Sequence, residues 1–493
     1  MVLLVCPYCV VLKTKVVRSL TLNPEHVIAF HESVSIQGQL VQLHCHGLSH
    51  DGRGVARLPD HSIVFVPDML PGEVGGVRLL RKRRNWWEGI LQNRSLLSSE
   101  RRQPPCILAG RCGGCTLQHL SDPAQVAAKQ QAVESALLRI GHVQLKDGVW
   151  RPLLNAPLTL GYRNRAVIPL ERRDDGSLRA GYYKQGSHTL VNMNHCPVLD
   201  ARLDALIKLL KIDLERTGWP VDRHLLHQGG LRHLAMRIAS TTGEILITLI
   251  SSHSRLDGLE QLAETWMERW PRVVGVCLNI QPSNNNALFG SETQVVTGRS
   301  SITEHFAGLA LQIAADTFFQ VNTIQAERVV DLIANALGPG TGGLLIDGYC
   351  GIGTYGLPMA ATGWRIHGIE NHAGSINLAR QNAGDNQLTS RCSFDVADMA
   401  EGLSGLLDQA TAVLLDPPRR GLDAAVIHTL LAKPVSTLLM LSCDPATLAR
   451  DLGRLHTHYE IVSVQAIDFF PNTSHVETLA VLKQRDLTHA TGL

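Results

Sequence analysis

The sequence predicts a multidomain α/β protein, and three observations carry that reading. The chain has 493 residues, too many for one ordinary core, and its 44% hydrophobic and 18% charged residues suit a globular chain. From Val41 to about residue 97, short alternating strands are broken by Gly and Pro turns, the pattern of a small OB-like β-barrel. From "LLIDGYCGIGT" onward, short continuous apolar runs alternate with helix-like stretches, as in parallel strands covered on both faces. The segment between mixes strands such as "EILITLI" and "VVGVCLNI" with helices such as "LDGLEQLAETWMERW", an α+β pattern. The expected divisions are an extension over 1–36, the barrel over 37–97, a central domain over 98–315 and a C-terminal domain over 316–493.

The apolar start "MVLLVCPYCVVL" lacks a leading basic region and a cleavage site, so neither a secretory signal nor a membrane span is expected. Its Cys-Pro-Tyr-Cys stretch has no second pair and no βαβ context, and is read as chance. The 11 cysteines are odd in number and scattered, which argues against a disulfide framework and for a reducing, cytoplasmic setting. Net charge is only +2, so any basic surface must be local.

In the barrel, "VQLHCHG" alternates apolar and polar residues as a half-buried strand does. Arg78, Arg81, Lys82, Arg83 and Arg84 lead into Trp86 and Trp87. Cations beside rings suit a nucleic-acid strand, with phosphates held and bases stacked. A solvated basic face over core tryptophans is an equal reading. Further on, "SDPAQVAAKQQAVESALLRIG" predicts a helix capped by Ser121 or Asp122, with Pro123 in its first turn and Gly141 as its stop. Val126, Val133, Leu137 and Ile140 form its expected core stripe.

"CILAGRCGGC" places Cys106, Cys112 and Cys115 close together with glycines between them, and Cys196 precedes a proline in "NHCPVLD". Four such thiols can wrap a metal centre, and their spacing alone leaves zinc and iron–sulfur equally open.

"LLIDGYCGIGTYGLPMA" reads as strand, Gly-x-Gly turn and helix, with Gly351 and Gly353 allowing close approach of a ligand. "WRIHGIE" ends in Glu370, 23 residues after Asp347, where a carboxylate can bind ribose hydroxyls. Adenosine and dinucleotide ligands both fit this spacing. The next strands break the tie. "LLDPPRRG" ends a strand in Asp416 and two prolines, a stiff turn of the kind methyltransferases use to hold a planar base. "STLLMLSCDPATLARDL" ends another strand at Cys443, and "FFPNTSHVETLAVL" carries Glu477 near the C-terminus.

Taken together, "SHDGRGVAR", "CGGCTLQHL", "FFQVN", "DGYCGIGT", "DPPRRGL", "SCDPATLARDL" and "FPNTSHVET", in that order, resemble the uracil-C5 RNA methyltransferases. The resemblance runs from about residue 38 to 485. It points to the branch with an N-terminal TRAM barrel and a 4Fe–4S domain that modifies 23S ribosomal RNA. It implies a Rossmann-like class I methyltransferase domain that uses S-adenosylmethionine. It makes Cys443 the nucleophile and Glu477 the base. Gln320, Tyr349, Gly351, Gly353, Thr354, Glu370, Asp398 and Asp416 would line the S-adenosylmethionine pocket. Cys106, Cys112, Cys115 and Cys196 would hold the cluster. A monomer suffices, and relatives acting on transfer RNA are expected to lack barrel and cluster. Three positions depart from the pattern: Asp444 for Asn, Gly348 for a larger apolar residue and Asn472 for Gln. An anionic Asp444 is expected to raise the pKa of the Cys443 thiol.

Overall fold

The computed structural model describes residues 36–226 and 229–486; the extension with its Cys-Pro-Tyr-Cys stretch lies outside them. The first unit is a closed barrel of β1 (Leu40–Leu48), β2 (Gly54–Arg57), β3 (Ile63–Val66), β4 (Val74–Lys82) and β5 (Trp86–Leu96), joined in the order β1-β2-β3-β5-β4. Its core gathers Leu43, Cys45, Val64, Val66, Val77, Leu79 and Trp87. Successive strand residues face opposite sides, so the two adjacent tryptophans part. Trp87 is core at 4% exposed. Trp86 lies outside, edge-on to Phe65, with the Arg53 and Arg83 guanidiniums 5.5 and 5.8 Å from its ring.

Helix α1 (Asp122–Arg139) begins as expected, with the Ser121 hydroxyl accepting from Ala124 N and proline in the first turn. Its buried face differs from the expected stripe. Gln125, Lys129, Val133, Ala136 and Leu137 are buried, whereas Ile140 follows the helix at 47% exposed. Two polar residues lie on the inner face because buried partners near the C-terminus meet them there.

β6 (Trp150–Leu154) follows, then β7 (Arg165–Arg172), β8 (Leu178–Tyr183), β9 (Leu190–Asn192), α2 (Ala201–Arg216), β10 (Leu231–Ile238), β11 (Ile245–Ser251), α3 (Leu259–Arg269), β12 (Val273–Ile280) and β13 (Glu292–Gly298). The last seven strands of this series form one sheet, β13-β12-β11-β10-β7-β8-β9, with α2 and α3 contributing to its core. A hairpin of β14 (Ser301–Phe306) and β15 (Leu309–Ala314) leads to the C-terminal unit.

That unit contains α4 (Thr323–Leu337), β16 (Leu344–Gly348), α5 (Gly356–Ala361), β17 (Arg365–Glu370), α6 (Ala373–Asp385), β18 (Cys392–Val396), α7 (Met399–Ser404), β19 (Ala410–Leu415), α8 (Ala424–Ala432), β20 (Thr437–Ser442), α9 (Pro445–Leu455), β21 (Tyr459–Ile467) and β22 (Glu477–Gln484). Its eight-stranded sheet runs β18-β17-β16-β19-β20-β22-β21-β6. The first five strands in that order are parallel, and β22 enters antiparallel between β20 and β21. The outermost strand, β6, comes from the segment expected to belong to the central domain and pairs in parallel with β21. Strand order reverses between β16 and β19, so a crevice is expected at the carboxyl ends of these strands. No helix among the described residues is long and apolar enough to cross a membrane.

Candidate active site

The crevice at the end of β16 is built by backbone conformation. Tyr349, Gly351 and Gly353 have φ of 62°, 55° and 84°, which fold the chain into a tight turn before α5. Gly351 donates its N–H to Glu370 Oε2 at 3.3 Å, bringing the turn against the end of β17. Asp347 accepts the Gly356 N–H at 3.0 Å, so α5 starts against the end of β16. Burial pushes the Asp347 carboxyl up to about 7, and the Gly356 N–H pulls the other way. A side chain on Gly356 would place its Cβ 2.6 Å from Asp347 Oδ2. Gln320 is buried, and its Nε2 lies 3.4 Å from Asp416 Oδ2. Thr354 is buried in the same turn. Asp398 follows β18 and accepts the Ala400 N–H at 2.9 Å, which caps α7 and leaves its second oxygen unused by that bond.

Beside this crevice, sheet register brings the thiol and the distant carboxylate together. β20 ends at Ser442, which pairs with Thr478 of antiparallel β22. One step beyond that pair, Cys443 and Glu477 are neighbours, though 34 residues separate them in the chain. Asp416 ends the adjacent strand, whose Leu415 pairs with Met440 of β20. The electrostatics agree with this proximity. Burial, then Glu477, then Asp416 push the Cys443 thiol up to about 12, against the pull of Arg419. Burial, then Asp416, push Glu477 up to about 8, again opposed by Arg419. Burial pushes Asp416 up to about 7.

Arg419 is the cation acting on both Cys443 and Glu477, and sequence reasoning passed over it. Its signal was its place directly after Asp416-Pro-Pro. Its Nη2 also lies 3.4 Å from His475 Nε2. Burial first, then Arg419, push that imidazole down to about 4, so it is neutral at ordinary pH.

The departures from the motif pattern have structural explanations. Asp444 does not set the Cys443 pKa as expected. Its carboxylate accepts the Ala446 and Thr447 N–H groups, both at 2.9 Å, and caps α9, while the causes of the thiol's shift are those named above. A side chain on Gly348 would meet Leu415 at 2.6 Å and Met399 at 2.7 Å, so this core has closed over the missing volume. Asn472 is buried with φ of 67°, a conformation that asparagine tolerates better than most residues.

Cys106, Cys112, Cys115 and Cys196 are half-buried free thiols. Each of Cys115 and Cys196 feels the sulfur of the other loop's cysteines or of its own loop. The Leu108 and Gly114 N–H groups point to the sulfurs of Cys106 and Cys112 at 3.4 and 3.5 Å. The expected metal centre is nonetheless not shown. Among the described residues no three His, Cys, Asp or Glu side chains are grouped so as to hold a metal ion.

A model of the tRNA (uracil-5-)-methyltransferase family matches residues 155–485. An uncharacterized RNA methyltransferase of Parasynechococcus marenigrum is 46% identical over 451 residues, covering 91% of this chain and 96% of that one. Another, from Thermosynechococcus vestitus, is 44% identical over 453 residues, covering 91% and 99%. Among solved structures, Pyrococcus abyssi tRNA (uracil-54, C5)-methyltransferase with S-adenosyl-L-homocysteine superposes with a TM-score of 0.71 at 24% identity, over 90% of this chain and 99% of that one. The last likeness speaks for the fold, and the first three for descent: the chain belongs to the tRNA (uracil-5-)-methyltransferase family.

Proposed function

We propose that this enzyme methylates C5 of a specific uridine in 23S ribosomal RNA, using S-adenosylmethionine and a covalent Cys443 adduct. The observation that carries the reading is the register placing Cys443 beside Glu477 at the sheet's carboxyl edge, next to Asp416.

The residues around the β16 turn fit an adenosine. Gly351 and Gly353 open the backbone, and Glu370 and the second oxygen of Asp398 offer acceptors at the ends of β17 and β18. Gln320, Tyr349, Thr354 and Asp416 complete the pocket. S-adenosylmethionine supplies the methyl group. Cys443, once deprotonated, bonds through Sγ to C6 of uracil, and the ring's electrons move toward C5, which becomes the nucleophile. After C5 is methylated, Glu477 in its ionised form, the minor form at neutral pH, takes the C5 proton. The released pair reforms the C5–C6 double bond as the Cys443–C6 bond breaks. Asp416 faces the same ring and Arg419 lowers the cost of both anions. The uridine must leave its stack to enter, so the substrate is a loop or opened helix. Phosphate contacts from the barrel's basic face supply affinity.

Cys443→Ala is expected to abolish methyl transfer and the denaturant-stable complex with 5-fluorouridine RNA; turnover by that variant ends the reading. Although these thiols are not drawn together around a single metal ion, we assign the four cysteines to a 4Fe–4S cluster, on the family resemblance, their thiol donor set and the N–H groups aimed at two of the sulfurs. Brown protein with bound iron is expected, and colourless protein with stoichiometric zinc overturns the assignment. The cluster has no step in this polar mechanism.

Transfer RNA is the second reading, because the Pyrococcus protein is named for it and aligns with 90% of this chain. The barrel therefore does not separate the two substrates as the sequence suggested. Mapping of 5-methyluridine in ribosomal and transfer RNA, with and without this monomeric, cytoplasmic enzyme, decides between them.

A further inference from the structure

Glu477 begins β22, and the nine residues before it, 468–476, form the connection from β21. This connection is held largely by residues between Arg102 and Tyr162, with Asn322 and Arg419 adding contacts to Phe469 and His475. Asp468 pairs with Lys129 at 2.5 Å, and the same ammonium donates to the Phe470 carbonyl at 3.0 Å. Tyr162 Oη donates to the Pro471 carbonyl at 3.1 Å.

Asn472 is the densest joint. Its N–H donates to Gln125 Oε1 at 2.8 Å, and its side-chain Nδ2 donates to the Thr159 carbonyl at 2.7 Å. Its Oδ1 accepts from Arg102 Nη2 at 2.8 Å, and its carbonyl accepts the Leu117 N–H at 2.9 Å. Two residues on, the Ser474 N–H donates to Thr116 Oγ1 at 3.1 Å. Thr116 and Leu117 directly follow Cys115. The cysteine loop is thus bonded to the segment that ends in Glu477. Cys443 stands on a different connection, between β20 and α9, which Asp444 caps independently.

We propose that Asn472, with Thr116, is a positioning element that fixes Glu477 against the substrate ring, so that the cysteine loop governs proton removal from C5 and not the attack by Cys443. The inference rests on Glu477 being the base. It gives the cysteine-bearing unit a task in the reaction through hydrogen bonds alone. A displaced base slows the step it serves, and misplacement by about 1 Å costs on the order of 100-fold.

The test separates the two steps. The full chain is compared with Asn472→Ala, Thr116→Val and the reference variant Glu477→Gln. Thr116→Val keeps side-chain volume and removes one acceptor, so it decides the matter should Asn472→Ala fail to fold. Attack is read as the rate of complex formation with 5-fluorouridine RNA, and release as the decay of the adduct on ordinary uridine RNA. Expected for Thr116→Val and Asn472→Ala is attack within about threefold of the parent, release slowed at least about tenfold, and adduct accumulating on ordinary RNA. Equal loss of both rates, or unchanged release, overturns the proposal. If Glu477→Gln itself releases normally, the base assignment falls and this inference with it, an outcome distinct from normal release in Thr116→Val alone.

Discussion

Removing the Lys129 charge is expected to unfold the C-terminal unit far more easily than an average substitution. Its ammonium and the Asp468 carboxylate are 1% and 7% exposed and 2.5 Å apart. Lys129→Met keeps most of the side-chain stem and deletes the donor. Asp468 is left as a buried charge without its partner, and the Phe470 carbonyl loses its donor. Breaking a buried pair from one side costs about 3–5 kcal/mol, because the remaining charge stays desolvated. For a cooperative unit of this size each kcal/mol lowers the midpoint by about 2–4 °C, so a fall of roughly 6–20 °C is expected. The double variant Lys129→Met, Asp468→Leu removes both charges and is expected to recover to within about 1–2 kcal/mol of the parent. Urea unfolding followed by tryptophan fluorescence and circular dichroism gives the comparison. A loss under about 1 kcal/mol in the single variant, or a double variant as weak as the single one, refutes the reasoning.

In the proposed mechanism attack requires the Cys443 thiolate, and the thiol is pushed up to about 12. Complex formation with 5-fluorouridine RNA should therefore accelerate steadily from about pH 6.5 to 8.5, and Arg419→Met should slow it at every pH; a flat profile contradicts this. Asp347 and Asp416 are pushed up to about 7 and Glu477 to about 8. Raised carboxyls hold protons that the unfolded chain has released. Their stabilisation is complete below about pH 4 and is lost as pH rises through 7 to 8, so the urea midpoint should fall across that window, and less steeply in Glu477→Gln. Gly348→Leu, which restores the size usual at that position, should cost about 1–3 kcal/mol here, with Met399→Ala recovering part of the loss in the same unfolding assay.

Much of the candidate site was legible because the residues proposed for it end local apolar runs. Asp347, Glu370, Asp416 and Cys443 each close a short strand pattern, and open α/β sheets put such positions on one edge. The neighbour relation of Cys443 and Glu477 was not local. It depends on β22 inserting antiparallel beside β20, which no window of sequence displays and which only the motif resemblance anticipated. The same holds for α1. Its cap and first turn followed from Ser121 and Pro123, whereas Gln125 and Lys129 stood outside the expected stripe, because their partners lie 347 and 339 residues away. Asp444 shows the opposite failure. Read as a charge beside a thiol, it suggested a penalty, but a carboxylate ahead of Pro445 is first of all a helix cap. In the barrel, period-two alternation held, and it sent the adjacent tryptophans to opposite faces.

The outermost strand of the C-terminal sheet is borrowed from residues 150–154, far upstream of the fold it completes. During synthesis that ribbon exists long before its neighbour, and it must wait until β21 emerges. A fragment cut at the nominal start of the methyltransferase unit would expose the flank of β21, with unpaired amides and carbonyls open to other chains. The two halves of this polypeptide are in that sense a single folding commitment.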